Sequence, residues 1–200
     1  DILVKKGYHV SIVQNPLTSL NNDVTETNSV INAQDGPVIL VGHSWGGTVI
    51  TQAGVNPRVA GLVYVAAFMP DKGENTVKWV AAAPAAPEAG FTKPDQFGFV
   101  YFEASKFHGG FAGDLSQAQS DFMRDSQVPI IAKCFDEPVT EVAWKNKPSY
   151  AIVPTEDKAL NPETERAMYK RAGAKITEIK GSHVIFISQP EAVAKVIIIT

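Results

Sequence analysis

Val38-Ile39-Leu40-Val41-Gly42-His43-Ser44-Trp45-Gly46-Gly47 is the stretch on which the reading of this chain turns. Its first four residues form a continuous apolar run, as expected of a strand buried on both faces. A Gly-x-Ser-x-Gly pattern follows at once, and a helical stretch follows that. Five residues of pattern carry little weight alone; strand, sharp turn and helix together describe a nucleophile elbow. Such a turn strains the serine backbone so that Oγ stands above the sheet edge. Residues two before and two after the serine must then be small, or strand and helix would collide. Gly42 and Gly46 meet that demand, and Gly47 adds room. The backbone N–H of Trp45 falls at the helix N-terminus, where it can donate to a developing oxyanion. Successive side chains at a strand end point in opposite directions, so His43 reads as a packed, hydrogen-bonded histidine and not as the base for Ser44.

A serine hydroxyl needs a base, and the base needs a group to orient it. In a parallel-sheet enzyme of this kind the order along the chain is serine, acid, histidine. After Ser44 only His108 and His183 remain. His108 lies in the glycine-rich Phe107-His108-Gly109-Gly110. His183 follows an apolar run ending near Ile179, which puts it on a loop at the C-terminal edge of the sheet, where active sites of such sheets lie. His183 is therefore the expected base. The acid belongs on the loop after the preceding strand. Tyr150-Ala151-Ile152-Val153 runs into Pro154-Thr155-Glu156-Asp157, which makes Asp157 the expected acid. Glu156 stands beside it as an alternative, and Asp136 and Glu137 are alternatives farther back.

Around these residues short apolar runs alternate with helical patterns, which predicts βαβ units and a mostly parallel sheet. Expected strands are Gly7 to Val13, Val38 to Val41, Val59 to Phe68, Tyr150 to Val153 and Ile176 to Ile179. Ser19 to Asn32 reads as a helix with Leu20, Val24 and Ile31 on one face. Asn161 with Pro162 starts another helix, which Gly173 stops. Ser188 and Glu191 fit a capping box for the last helix, with Pro190 in its first turn. Pro70 to Pro148 differs in kind. It opens with the Ala/Pro-rich Ala81 to Pro87 and then carries Phe91, Phe97, Phe99, Phe102, Phe107, Phe111, Phe122 and Phe135 without strand alternation. An inserted, largely helical or irregular lid is expected. Its rings either pack the insertion's own core or line an apolar substrate pocket. Phe91, Phe97, Phe99, Phe107 and Phe111 are the pocket candidates.

Composition narrows the function class. With 200 residues the chain is long enough for one domain with a sizeable core. The net charge of −3, with no basic run or acidic tail, excludes an electrostatic case for nucleic acid or an anionic membrane. No apolar stretch is long enough to span a bilayer. The four histidines are scattered and Cys134 is the only cysteine, so no pair has metal-ligand spacing and no internal disulfide is possible. A single thiol fits a reducing, cytoplasmic compartment. The expected partner is a small-molecule ester, with no cofactor and no metal; the oligomeric state is not encoded in any visible pattern.

The elbow Gly42-His43-Ser44-Trp45-Gly46, the Asp157 loop and Gly181-Ser182-His183 together resemble the α/β-hydrolase fold, and the resemblance runs through almost all of the chain. The register, including Val13-Gln14-Asn15-Pro16-Leu17-Thr18-Ser19-Leu20 and Gln34-Asp35-Gly36-Pro37, is similar to small bacterial esterase-like members, whose relatives include plant methylesterases and hydroxynitrile lyases. The resemblance implies a core of residues 1–70 and 148–200, with a cap of residues 71–147 between the sixth and seventh strands. It also implies strands before Gly7, the third of which lies mid-sheet and ends in a His-Gly motif supplying the second oxyanion N–H. Nothing here matches that motif. Without the third strand, Gly7 to Val13 and Val38 to Val41 would each lose a neighbour, at about 1–3 kcal/mol for each buried unpaired group. The expectation is an N-terminally truncated chain, which an intact mass of 21.5 kDa in a folded, soluble sample would overturn.

Three functions compete. The first is hydrolysis of a small to medium apolar carboxylic ester through an acyl-enzyme. The second keeps the triad for hydroxynitrile lysis or C–C hydrolysis, since fold and triad do not separate these reactions. A lyase would need a cation near the serine, and Lys72 and Lys78 open the lid. The third is a hydrolase-like receptor with a weak site.

Overall fold

The computed structural model describes residues 1–200. A short helix α1 (Ile2–Lys5) and α2 (Leu20–Asn32) precede strand β1 (Val38–Ser44), helix α3 (Gly46–Ala53) and strand β2 (Val59–Ala67). An inserted segment follows, with α4 (Thr76–Val80), β3 (Phe99–Val100), α5 (Phe107–Phe111), α6 (Gln117–Ser126), β4 (Ile130–Ile131) and α7 (Lys133–Asp136). The chain then returns through β5 (Ser149–Pro154), α8 (Pro162–Ala172), β6 (Lys175–Ile179), α9 (Ile185–Ser188) and α10 (Pro190–Ile198). The main sheet is parallel in the order β1-β2-β5-β6. The α/β class and the parallel sheet are those expected from the alternating apolar runs.

β2 carries the core because it is flanked on both sides. Leu62 and Tyr64 face one way, against Ile50 of α3 and Met168 and Tyr169 of α8. Val63 and Val65 face the other, against Ile185, Val193 and Val196. The period-two alternation thus feeds two helical layers, each buried aliphatic side chain contributing about 1.5–3 kcal/mol.

Helix α2 covers the stretch expected to be helical except its first residue, which caps it: Ser19 Oγ accepts from Asn22 N at 3.0 Å. Asn161 likewise caps α8, accepting from Glu163 N at 2.9 Å, and Gly173 ends that helix in the left-handed region at φ +69°.

Four expectations are corrected. Gly7 to Val13 is no strand: it has no place in the sheet, is mostly exposed and runs beside the open edge of β1. Its alternating apolar residues have no neighbouring strand to bury them. Val38 to Val41 is consequently an edge strand, and Val41 is 45% exposed although the run reads as doubly buried. β6 is the opposite edge, mostly exposed, with Lys175 and Glu178 on it as edge strands often have. The capping box at Ser188 does not form. Ser188 ends α9 and its Oγ donates to Asp114 at 2.7 Å, while Gln189 takes the cap position of α10. The segment expected to be largely helical or irregular has only short helices, and β3 and β4 in it pair antiparallel in a small ladder that no alternation announced.

Candidate active site

Strand β1 ends on Ser44 and α3 begins at Gly46, so Ser44 and Trp45 make the turn between them. Ser44 has φ +52°, a left-handed conformation that costs a non-glycine residue about 1–3 kcal/mol. Three features hold it there. A Cβ at Gly42 would meet the Gly46 carbonyl oxygen at 2.6 Å, and one at Gly47 would meet the Phe68 carbonyl oxygen at 2.1 Å. Strand and helix therefore approach through Gly42 and Gly47, whereas a Cβ at Gly46 would touch nothing within 4 Å. That corrects the expectation that Gly46 is the required small residue. Next, the β1–β2 register slips between His43 and Ser44, opposite Ala66, itself at φ +48°. The Tyr169 hydroxyl clasps this bulge, donating to Ala67 O at 2.7 Å and accepting from Ala67 N at 2.8 Å. Finally, the Trp45 indole is buried and donates to Asp23 Oδ2 at 2.7 Å. The backbone N–H of Trp45 thus sits at the start of α3 on a residue fixed by its own side chain.

His183 lies on the loop after β6 and is 1% exposed. Its Nδ1–H donates to Asp157 Oδ2 at 2.6 Å. Asp157 is fixed in turn, its Oδ1 accepting from Ala159 N at 2.8 Å and Leu160 N at 2.9 Å. With Nδ1 carrying the proton, Nε2 is the free basic nitrogen, and it is buried without a hydrogen-bond partner. No hydrogen bond joins it to Ser44 Oγ. His43 connects the two sides. Its Nε2–H donates to His183 O at 2.9 Å and its ring centroid lies 4.6 Å from that of His183. Burial, and then the neighbouring imidazole, push the His43 pKa down to about 3, so this ring stays neutral and serves as a strut.

The remaining candidates fall elsewhere. His108 donates from Nε2 to Leu115 O at 3.0 Å within the inserted segment. Glu156 is exposed, 3.5 Å from Lys180. Glu137 accepts from Leu20 N at 2.6 Å. Asp136 borders the cleft but neither histidine donates to it.

Ser44, Trp45, Gly46 and Asp157 border a cleft of about 1810 Å³ that continues along the open edge of β1 beside Tyr8 to Val13. Phe91 and Phe111 line it, together with Phe68, Trp79, Phe135 and Phe186. Phe97, Phe99 and Phe107 do not. Phe97 is 71% exposed, Phe99 lies in β3, and Phe107 is buried against Phe102 and Phe111 in the insertion's own cluster. Phe111 belongs both to the cleft wall and to that cluster.

Several contributors were not singled out in the sequence. Asp23, Tyr169 and Asp114 bond to the serine turn, its neighbouring bulge and the His183 loop, and only Asp23 left a trace: a charge on the Leu20, Thr27, Ile31 face that α2 buries. Glu165 is fully buried with both carboxyl oxygens unpartnered. Burial, and then the Asp157 charge, hold its pKa well above the usual carboxylate range.

A family model described as the alpha/beta hydrolase family matches residues 13–196. A carbendazim hydrolyzing esterase of Nocardioides sp. (strain SG-4G) is 29% identical over 132 residues, which are 64% of this chain and 47% of that protein. The chain thus spans about half the length of this curated relative. Among solved structures, a pyrethroid hydrolase from Sphingobium faniae JZ-2 superposes with a TM-score of 0.81 at 20% identity, over 98% of this chain and 87% of the other. Polyneuridine aldehyde esterase superposes with a TM-score of 0.82 at 19% identity, over 98% and 89%. At these identities the solved structures speak to the fold alone. The match of the family model along nearly the whole chain, on a parallel sheet with a strained serine turn at its edge, makes this chain a member of the alpha/beta hydrolase family.

Proposed function

We propose that the chain is a carboxylic ester hydrolase in which Ser44 is the nucleophile, His183 the base and Asp157 the orienting acid. The observation that carries this reading is the His183 imidazole, with Nδ1 held by Asp157 at 2.6 Å and Nε2 buried and unsatisfied. A buried polar atom without a partner costs about 1–3 kcal/mol, and it persists where a reacting group completes the set. Ser44 Oγ attacks the ester carbonyl as Nε2 takes its proton. Trp45 N–H stabilises the oxyanion. Collapse returns the proton to the leaving alcohol and leaves an acyl group on Ser44. Water, activated by the same nitrogen, attacks the acyl carbonyl and releases the acid and free Ser44. Residues 71–147 act as a cap over the core of residues 1–70 and 148–200. Phe91 and Phe111 favour an apolar acyl or alcohol group. The relative named as a carbendazim hydrolyzing esterase supports the ester class.

The lyase alternative gains nothing from the cap lysines. Lys72 and Lys78 do not border the cleft, and Lys78 Nζ sits 2.6 Å from Glu74.

Hydrolysis of p-nitrophenyl esters from acetate to octanoate tests the proposal. The expected outcome is turnover by the wild type and a loss of roughly 10⁴- to 10⁶-fold in kcat for Ser44→Ala. Equal rates for wild type and Ser44→Ala would overturn it.

A further inference from the structure

Asp114 belongs to the inserted segment, between α5 and α6, yet its carboxylate is engaged with the loop that carries His183. Oδ2 accepts from Ser182 N at 2.9 Å and from Ser188 Oγ at 2.7 Å, and Oδ1 accepts from Ser182 Oγ at 2.5 Å. Ser182 directly precedes His183, and Ser188 ends the short helix α9 that follows it. One carboxylate therefore grips the chain on both sides of the imidazole. The approach is close: a Cβ at Gly181 would fall 2.8 Å from Asp114 Oδ2. Three residues before Asp114, Phe111 sets its ring edge-on to His183, centroids 4.7 Å apart. Asp157 and His43 hold the base from the core side. Phe111 and Asp114 hold it from the inserted side.

We propose that Asp114 is a positioning residue that fixes the backbone on either side of His183, so that seating of the inserted segment and alignment of the base are a single event. This rests on His183 being the base, as proposed above. Hydrogen bonds to an ionised carboxylate are roughly twice as strong as neutral ones. Burial pulls the Asp114 pKa up, and its donors outweigh burial, leaving the carboxyl below its ordinary range and ionised at neutral pH. Asp114 does not touch reacting atoms. It acts through loop geometry, where a displacement of about 1 Å can cost about 100-fold in rate.

The test compares wild type, Asp114→Ala, Asp114→Asn and Ser188→Ala. One readout is kcat and KM across p-nitrophenyl acetate to octanoate. The other is the downfield proton resonance of His183 Nδ1–H, assigned by its loss in Asp157→Asn and observable without substrate. Asp114→Ala is expected to lower kcat about 100-fold at every chain length, with little change in KM, and to broaden or abolish the resonance. Asp114→Asn, which keeps the shape and one acceptor, should recover at least tenfold of that loss. A defect confined to long acyl chains, or one in KM alone, would mark Asp114 as part of the cover only and overturn the proposal. Should Asp114→Ala fail to fold, Asp114→Asn and Ser188→Ala decide: lowered kcat at constant KM sustains the proposal, and wild-type kcat in both overturns it. If the wild type hydrolyses no ester, the catalytic reading fails separately and the resonance decides. Its survival unchanged in a folded Asp114 variant overturns the positioning role, and its loss sustains it.

Discussion

A methyl group added at Gly47 would fall 2.1 Å from the Phe68 carbonyl oxygen and 2.8 Å from the Ala67 side chain, in a region where nothing flexible can yield. Gly47→Ala is therefore expected to destabilise the protein by about 1–3 kcal/mol, the usual cost of overpacking a filled core. Gly46→Ala meets no atom within 4 Å and replaces a helical glycine. It should be neutral or stabilising by up to about 1 kcal/mol. Urea midpoints of the two variants check the contrast, and equal midpoints would show that the elbow is not packed as described. At this scale the sequence was readable in type but not in detail. A strand, small residues and a serine announce the elbow from local pattern alone. Which glycine bears the contact depends on the twist of α3 against Phe68, a long-range fact that spacing does not carry. The pairing of His183 with Asp157 was legible because each follows a recognisable strand. Asp114 was not, because its partners are 68 and 74 residues away.

Helices with their own start and stop chemistry were the most legible elements. Ser19 and Asn161 cap α2 and α8 because their side chains meet amides two or three residues on, which is a local event. Gly7 to Val13 has strand-forming residues but no partner strand, so its propensity is not realised. Ser188 has the residues of a capping box, but Asp114 takes its hydroxyl. Asp23 shows how an element reaches the site from a distance. It stands on the buried face of α2 and accepts from Trp45 Nε1 at 2.7 Å and Leu17 N at 2.8 Å. Asp23→Ala leaves both donors unsatisfied and is expected to cost about 1–3 kcal/mol, more than a surface substitution does. It should also lower kcat for every ester equally, since the Trp45 amide loses its anchor. Asp23→Asn retains an acceptor and should lie between. Thermal unfolding together with kcat separates the two effects; wild-type values for both in Asp23→Ala would remove α2 from the support of the elbow.

At the scale of the molecule, the inserted segment is tied to the core at its start by one carboxylate. Glu74 receives Asp71 N at 2.8 Å, Lys78 Nζ at 2.6 Å, Trp79 Nε1 at 2.9 Å and Arg171 Nη1 at 2.8 Å, the last from the end of α8. Arg171 also donates to Met69 O at 2.8 Å and lies over the Trp79 ring, 4.7 Å from its centroid. Burial alone would raise the Glu74 pKa, but these donors outweigh it and bring it from 4.5 to about 2. A depressed carboxyl pKa stabilises the fold where the unfolded chain is also ionised, above pH 4.5, and that contribution disappears as pH falls toward about 2. The wild type should therefore lose stability between these limits more steeply than Glu74→Gln. At pH 7 the variant should be the less stable, because an amide meets two cations and two neutral donors with a single acceptor. Near pH 2 the two should converge. Urea unfolding at pH 7, 4 and 2.5 reads the difference directly, and taking it between the two proteins cancels the other carboxylates that titrate in the same range. A constant difference at all three pH values would mean that Glu74 acts by shape and not by charge. The tie between inserted segment and core would then rest on the Arg171–Trp79 stack and the Asp114 loop contacts.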